Sequence, residues 1–226
     1  MARKKKKIDF TDQDAVLDEV AKAMDVDPDQ LSIDTSSMEG FGVDVYEISV
    51  DGGSNTWGVV ESDDAFRELA LAIVKQDLEE DPSMFNKDFI KRHINIDRLR
   101  RDLESDVQNM AEEDLREMSD RDFWRTAKDY IDVPDEDDDG DMPDPEDYID
   151  DVAEQMTKEK LRDPMEYLEE IYSSSEAVEK AIEIAGIDVN AAAEDAVDTD
   201  GPEHFVARYD GNYDTTPSGF VYWRDN

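Results

Sequence analysis

Asp135, Asp137, Asp139, Gly140 and Glu146 stand at the spacing D-x-[DN]-x-[DN]-G-x5-E. That is the ligand pattern of a calcium loop. A hard divalent cation needs many oxygen ligands, and carboxylates at alternate positions wrap one ion while a final Glu closes the shell. Pro143 and Pro145 fall inside the same stretch, where the loop needs backbone freedom and Pro offers no amide donor. A tract this acidic also meets an aspartate pattern by chance. It reads better as a flexible acidic linker. Calcium, held by Asp135, Asp137, Asp139 and Glu146, is the competing expectation, and no other cofactor is expected.

The remaining reactive residue types form no signature. His93 and His204 are the only histidines, and a metal site or general base built on both needs them brought together. His93 follows Lys91 and Arg92, a poor setting for a cation. Ser218 has no nucleophile-elbow sequence around it, and no P-loop or dinucleotide fingerprint occurs. Lys91, Arg92, Arg98, Arg100 and Arg101 make a basic cluster, but Asp97, Asp102, Glu104 and Asp106 interrupt or follow it, the first three standing three or four positions from one or more of its arginines. At that separation side chains pair along a helix, so pairing is preferred over phosphate binding. The chain reads as a non-enzyme. The absence of cysteine excludes disulfides and thiolate metal sites and fits a reducing compartment. No apolar run approaches the roughly 20 residues of a membrane span. The tetralysine run Lys4–Lys7 lacks a following apolar region and reads as a solubilising tail rather than a signal peptide, with a contact to an acidic surface or nucleic acid as the alternative.

The elements that would carry these residues follow from periodicity and punctuation. Thr11 or Asp12 caps a helix to Met24 with Val16, Leu17, Val20 and Met24 on one face. Residues 43–60 read as a β-hairpin, Val43–Val50 and Thr56–Val60 around Asp51-Gly52-Gly53-Ser54-Asn55. Ser62 or Asp63 caps a helix to about Leu78. Met84, Phe85, Phe89 and Ile90 form an apolar cluster; Ile96, Leu99, Leu103 and Val107 share a helix face; a separate helix holds Leu115 and Met118. Ser119 caps the next, with Phe123, Trp124, Ala127 and Tyr130, and Pro134 stops it. Beyond the acidic tract, helices carry Ile149, Val152 and Met156, then Met165, Leu168, Ile171 and Tyr172, then Val178, Ala181, Ile182 and Ala185 with Gly186 as C-cap. Ile187-Asp188 leads into an alanine-rich helix and echoes Ile96-Asp97. Gly219–Trp223 reads as a terminal strand or an extended segment sealing a core. The expected fold class is α+β, predominantly helical: a small N-terminal hairpin with helices, a helical region, and an aromatic C-terminal extended segment. The expected organisation is a basic disordered tail at 1–11, an α+β domain at 12–133, an acidic Pro-rich linker at 134–146, and a helical domain with the aromatic tail at 147–226.

The charge sets the partner class. The 226 residues carry 63 acidic and 24 basic side chains, a formal net charge of -39. Such an excess costs stability through self-repulsion and repels nucleic acid and anionic membranes; its natural partners are basic surfaces. Acids occupy nearly every expected solvent face, and the candidate partner-binding set is Asp77, Glu79, Glu80, Asp102, Glu104, Asp106, Glu112, Glu113, Glu117, Asp147, Asp150, Asp151 and Glu154.

In this character the chain resembles the acidic DNA-mimic, antirestriction-type inhibitors encoded by bacteriophages. The tail Asp200–Gly211, with Ser218–Asn226 after it, is similar to the terminal stretch of small phage proteins. The resemblance implies an inhibitor in the host cytoplasm that fills the basic nucleic-acid-binding groove of a host defence or DNA-processing protein, with no direct contact to nucleic acid or membrane and with a homodimer left open. The alternatives are an acidic chaperone or assembly protein for a basic partner, and a calcium-binding protein using the 135–146 loop. A halophilic composition fits poorly with twelve lysines and many isoleucines.

Overall fold

The computed structural model describes residues 8–35, 41–52, 55–133 and 142–226. Its elements begin with α1 (Gln13–Met24), β1 (Leu31–Thr35), β2 (Tyr46–Val50), β3 (Thr56–Val60) and α2 (Asp63–Glu80). Next come α3 (Lys87–His93), α4 (Ile96–Arg116), α5 (Asp120–Ala127), α6 (Ile149–Lys160), α7 (Pro164–Ile171) and α8 (Ser174–Ala185). The last are α9 (Val189–Asp200), α10 (Pro202–Val206), β4 (Tyr213–Thr215) and β5 (Val221–Arg224). The fold is α+β and predominantly helical. By contact it forms two units, Met1–Phe85 with Val189–Asn226, and Asn86–Asp188.

The first unit is built on a five-stranded sheet of order β1-β2-β3-β5-β4 with every neighbour antiparallel. At the β2–β3 turn Asp51 and Gly52 take positive φ, 53° and 61°, a backbone that an Asp-Gly pair tolerates. Successive strand residues point to opposite faces. Leu31, Ile48, Val59 and Tyr222 therefore share one face with Val16, Val20 and Ala21 of α1, and Phe10 and Phe220 close that core. Trp223 turns the other way, its ring 5.2 Å from that of Phe66 on α2. Its partner across the β3–β5 ladder is Gly58, where a Cβ would fall inside the indole ring. Glycine is required there by close approach. The alanines of α9, Ala192, Ala193 and Ala196, are buried with Val197, and α9 and α10 both pack on α2.

The second unit is helical. Along α4, Leu99, Leu103, Val107, Ala111 and Leu115 recur every four residues and are buried. Their stripe meets α6, and Ala111 and Leu115 share a core with Phe123, Trp124, Ile149, Val152, Ala153 and Met156. The two helices are antiparallel: Arg100 Nε donates to Leu161 O (3.0 Å) at one end, and Arg116 Nε lies 3.7 Å from Glu146 at the other. Where the chain enters and leaves, Ile94 and Ile187 form an antiparallel bridge. Asp188 N–H donates to His93 O (2.8 Å) and Asn95 N–H to Gly186 O (3.3 Å) beside it.

Several expectations change. The segments on the two sides of 134–146 share one core rather than separate domains, because the apolar stripes of α4 and α6 complete each other. Residues 189–226 group with the N-terminal unit instead, since β5 finds its ladder on β3. Leu115 belongs to α4 itself: no Gly or Pro interrupts 108–114 and Ala111 keeps the stripe continuous. Strand β1 was not anticipated, its apolar alternation being limited to Leu31 and Ile33. Met84, Ile171 and Tyr172 are exposed rather than packed.

Replacing Gly58 with Ala should force the indole of Trp223 off its site and destabilise the protein by about 1–3 kcal/mol. Urea unfolding should show a lower midpoint at unchanged slope. An unchanged midpoint would show that the ring has room to move.

Candidate functional site

The thirteen candidate acids fall into two kinds. Four are engaged by cations. Asp77 accepts from Arg208 Nη2 (2.9 Å), Asp102 from Arg98 Nε (3.3 Å) and Glu112 from Arg116 Nη2 (3.1 Å), while Glu154 pairs with Lys158. The other nine, Glu79, Glu80, Glu104, Asp106, Glu113, Glu117, Asp147, Asp150 and Asp151, are exposed and have no ion-pair partner among the described residues. Glu80 only accepts from Gln76 Nε2 (2.6 Å). Because α4 and α6 run antiparallel, Glu113 and Glu117 share one end of the helix pair with Asp147, Asp150 and Asp151. Asp77, Glu79 and Glu80 belong to the first unit.

Position on the helix separates acids that serve the fold from acids that do not. At an N-terminus carboxylates accept from open amides and complement the positive end of the dipole. Asp12 accepts from Ala15 N–H and Asp163 from Met165 and Glu166 N–H; Asp150 and Asp151 stand in the first turn of α6. The C-terminal end of a helix is negative, and carboxylates there are disfavoured. The last turns of α2, α7 and α9 nonetheless carry Asp77, Glu79 and Glu80, then Glu169 and Glu170, then Asp198 and Asp200, with no basic residue. The end of α4 has Glu113, Asp114 and the C-cap Glu117 against Arg116 alone. Three of these acids are held elsewhere, Asp77 by Arg208, Glu169 by Lys91 (2.7 Å) and Asp198 by Arg67 (2.6 Å). The others face solvent.

The basic cluster is spent internally. Lys91 reaches Glu169, Arg98 reaches Asp102, and Arg100 reaches Asp97 (3.1 Å) and Leu161 O. Arg101 donates to Asp97 O, and Arg92 lies over the Phe89 ring (5.8 Å). The His93 ring lies tilted against Phe89 (4.8 Å) and the His204 ring meets Phe205 edge-on (5.0 Å), in different units. Asp135, Asp137 and Asp139 lie outside the described residues. Glu146, which would close a calcium loop, follows the capping Asp144 in a 3-10 turn and faces Arg116. Among the described residues, which include only Glu146 of the four candidate ligands, no cluster of three metal-ligating side chains occurs.

Sequence reasoning passed over two arrangements. Arg67 bridges α2 to α9 through Glu194 (3.0 Å) and Asp198, and those acids hold its guanidinium proton more tightly still. Its rarity was the available signal: outside the N-terminal tail the first unit has five basic residues, Lys22, Arg67, Lys75, Arg208 and Arg224. The second arrangement is a cavity of about 720 Å³ in the helical unit, walled by Tyr130 and Tyr167 with carboxylates around it. Burial first, then Glu159 and Asp129, push the Tyr130 hydroxyl up; burial first, then Tyr172, Asp106 and Glu170, do so for Tyr167.

Just beyond β5, burial and then the charge of Glu47 raise the Asp225 carboxyl above its usual range. The ionised form is therefore disfavoured by folding. Its stabilising contribution is complete below the ordinary Asp value near pH 4 and is lost as pH rises through the folded value. Asp225→Asn should raise the thermal midpoint at about pH 7, and the gain should vanish at about pH 3. Circular dichroism melts check it; an equal gain at both pH values would rule out the charge as its cause.

Compared with protein-family models, with curated proteins and with solved structures, the chain matches none.

Proposed function

We propose that this protein is an acidic inhibitor that occupies the basic nucleic-acid-binding surface of another protein, as a decoy for the phosphate backbone. The observation that carries the reading is the set of exposed acids at helix C-termini: Glu79 and Glu80, Glu113, Asp114 and Glu117, Glu170, and Asp200. Each stands where the dipole opposes it, so local helix stability does not explain the choice. The charge is also spread over folded elements rather than held in one detachable tract. The first unit has 29 acidic and 10 basic side chains, net -19; the second has 34 and 14, net -20. Only six of those 34 acids fall within 134–141.

Charge density limits what any single element does. Helix α4, with 21 residues, is about 30 Å long, a length over which duplex DNA presents about 18 phosphates. It carries seven acids and four bases. One helix is far too sparse, so the decoy surface must combine the unpaired acids of α4 with those at the start of α6. Attraction of this kind speeds encounter and weakens with salt.

Immobilised protein incubated with bacterial lysate at about 0.05 M salt should retain nucleic-acid-binding proteins that duplex DNA displaces, and should release them at about 0.5 M. Neutralising Glu113, Asp114 and Glu117 together, to Gln, Asn and Gln, should lower retention several-fold. Capture unaffected by duplex DNA would sink the decoy reading, and recovery of histone-like proteins alone would favour a chaperone for basic partners.

A further inference from the structure

Exposed carboxylates occur on most of the described helices and mark no place by themselves. The Tyr130–Tyr167 cavity differs because two half-buried aromatic rings stand among them. Tyr130 follows α5, held by N–H donation to Ala127 O (3.0 Å), and Tyr167 sits in the capped helix α7, donating to Asp163 O (3.1 Å). Both tyrosines are thus carried on hydrogen-bonded backbone. Glu159, Glu166 and Glu170 line the same space, with Asp163 occupied in capping α7. Lys160 and Arg162 answer two of these four charges, so two negative charges remain in excess.

A smaller cavity of about 300 Å³ nearby shows the contrast. Arg100, Lys158 and Arg162 line it. Glu104 is the one acid in its wall, so its lining is net positive, and it has no aromatic residue. The larger cavity has both a net negative lining and aromatic side chains.

We infer that the cavity between Tyr130 and Tyr167 receives the guanidinium of an arginine side chain presented by a basic partner protein. This rests on the reading of the acidic surface as one that meets a basic protein. A guanidinium is planar and weakly hydrated; it stacks on an aromatic face while its N–H groups donate in pairs to carboxylates. A lysine ammonium is compact and strongly hydrated and gains less from the rings. The cavity therefore discriminates arginine from lysine, which a diffuse negative field cannot do. An arginine that normally grips a phosphate would find here two oxygens and a ring instead.

The test uses the full chain, isotopically labelled for amide NMR, and two blocked tripeptides, Gly-Arg-Gly and Gly-Lys-Gly, at about 0.15 M salt. The expected result is a set of shifts confined to residues around Tyr130 and 159–170, with the arginine peptide bound about threefold more tightly. Tyr167→Ala should remove that preference, and Tyr130→Phe should retain it. Because Tyr167→Ala also opens the helix packing, Glu166→Gln with Glu170→Gln provides a second, exposed pair of changes that should weaken both peptides. Scattered shifts of equal size for the two peptides would overturn the inference. If the Tyr167 variant still captures DNA-displaceable proteins while the tripeptides show no preference for wild type, the arginine pocket fails and the inhibitor reading stands. If the pocket selects arginine but no basic protein is captured, the inhibitor reading fails alone.

Discussion

The pairing of β5 with β3 is the contact on which the first unit depends. It joins Trp57 to Arg224 and Val60 to Val221, more than 160 positions apart in the sequence. Without it β3 is an edge, α2 loses the buried indole it packs on, and Phe220 and Tyr222 leave the core beneath α1. Bringing such distant segments together costs loop entropy, but that cost grows only slowly with length. It is lowered further because the second unit ties its own entry and exit together at Ile94 and Ile187.

Charge works against this fold rather than for it. The three arginines of the first unit outside its N-terminal tail tie segments distant in sequence: Arg67 to α9, Arg208 to α2, and Arg224 to Asn55 with its guanidinium over Tyr209 (4.1 Å). Exposed ion pairs are individually worth little, so the apolar layers carry the stability. The surplus carboxylates describe association and solubility, not architecture.

Local signals were legible in the sequence. Asp12, Ser62 and Ser119, each offered as a cap, do cap their helices, and the stripe of α4 was visible from Ile96 onward. Gly219–Trp223 was legible as a terminal strand or an extended segment, and Val221–Arg224 forms β5. Its partner was not, because a ladder depends on a distant segment and nothing in Val221–Arg224 specifies β3. The acidic Pro-rich tract is the strongest change in composition and drew the expected boundary to itself. The actual division depends on which apolar faces complement each other, as Ala111 and Leu115 do with Val152 and Ala153. Of the candidate acids, exposure was largely legible. The capture of Asp77 by Arg208 was not, since the two lie far apart in sequence.

The sheet order also has a consequence for synthesis. A nascent chain emerges from its N-terminus, and each domain generally folds as its residues become available. The second unit is contiguous from Asn86 to Asp188 and has all its partners before β5 exists. The first unit must wait, with β3 an open edge and the Trp223 site vacant. Open edges invite pairing with other chains. Throughout that interval the strand is carried on a chain whose like charges hold neighbouring copies apart, so the acidity that strains the finished fold protects the unfinished one.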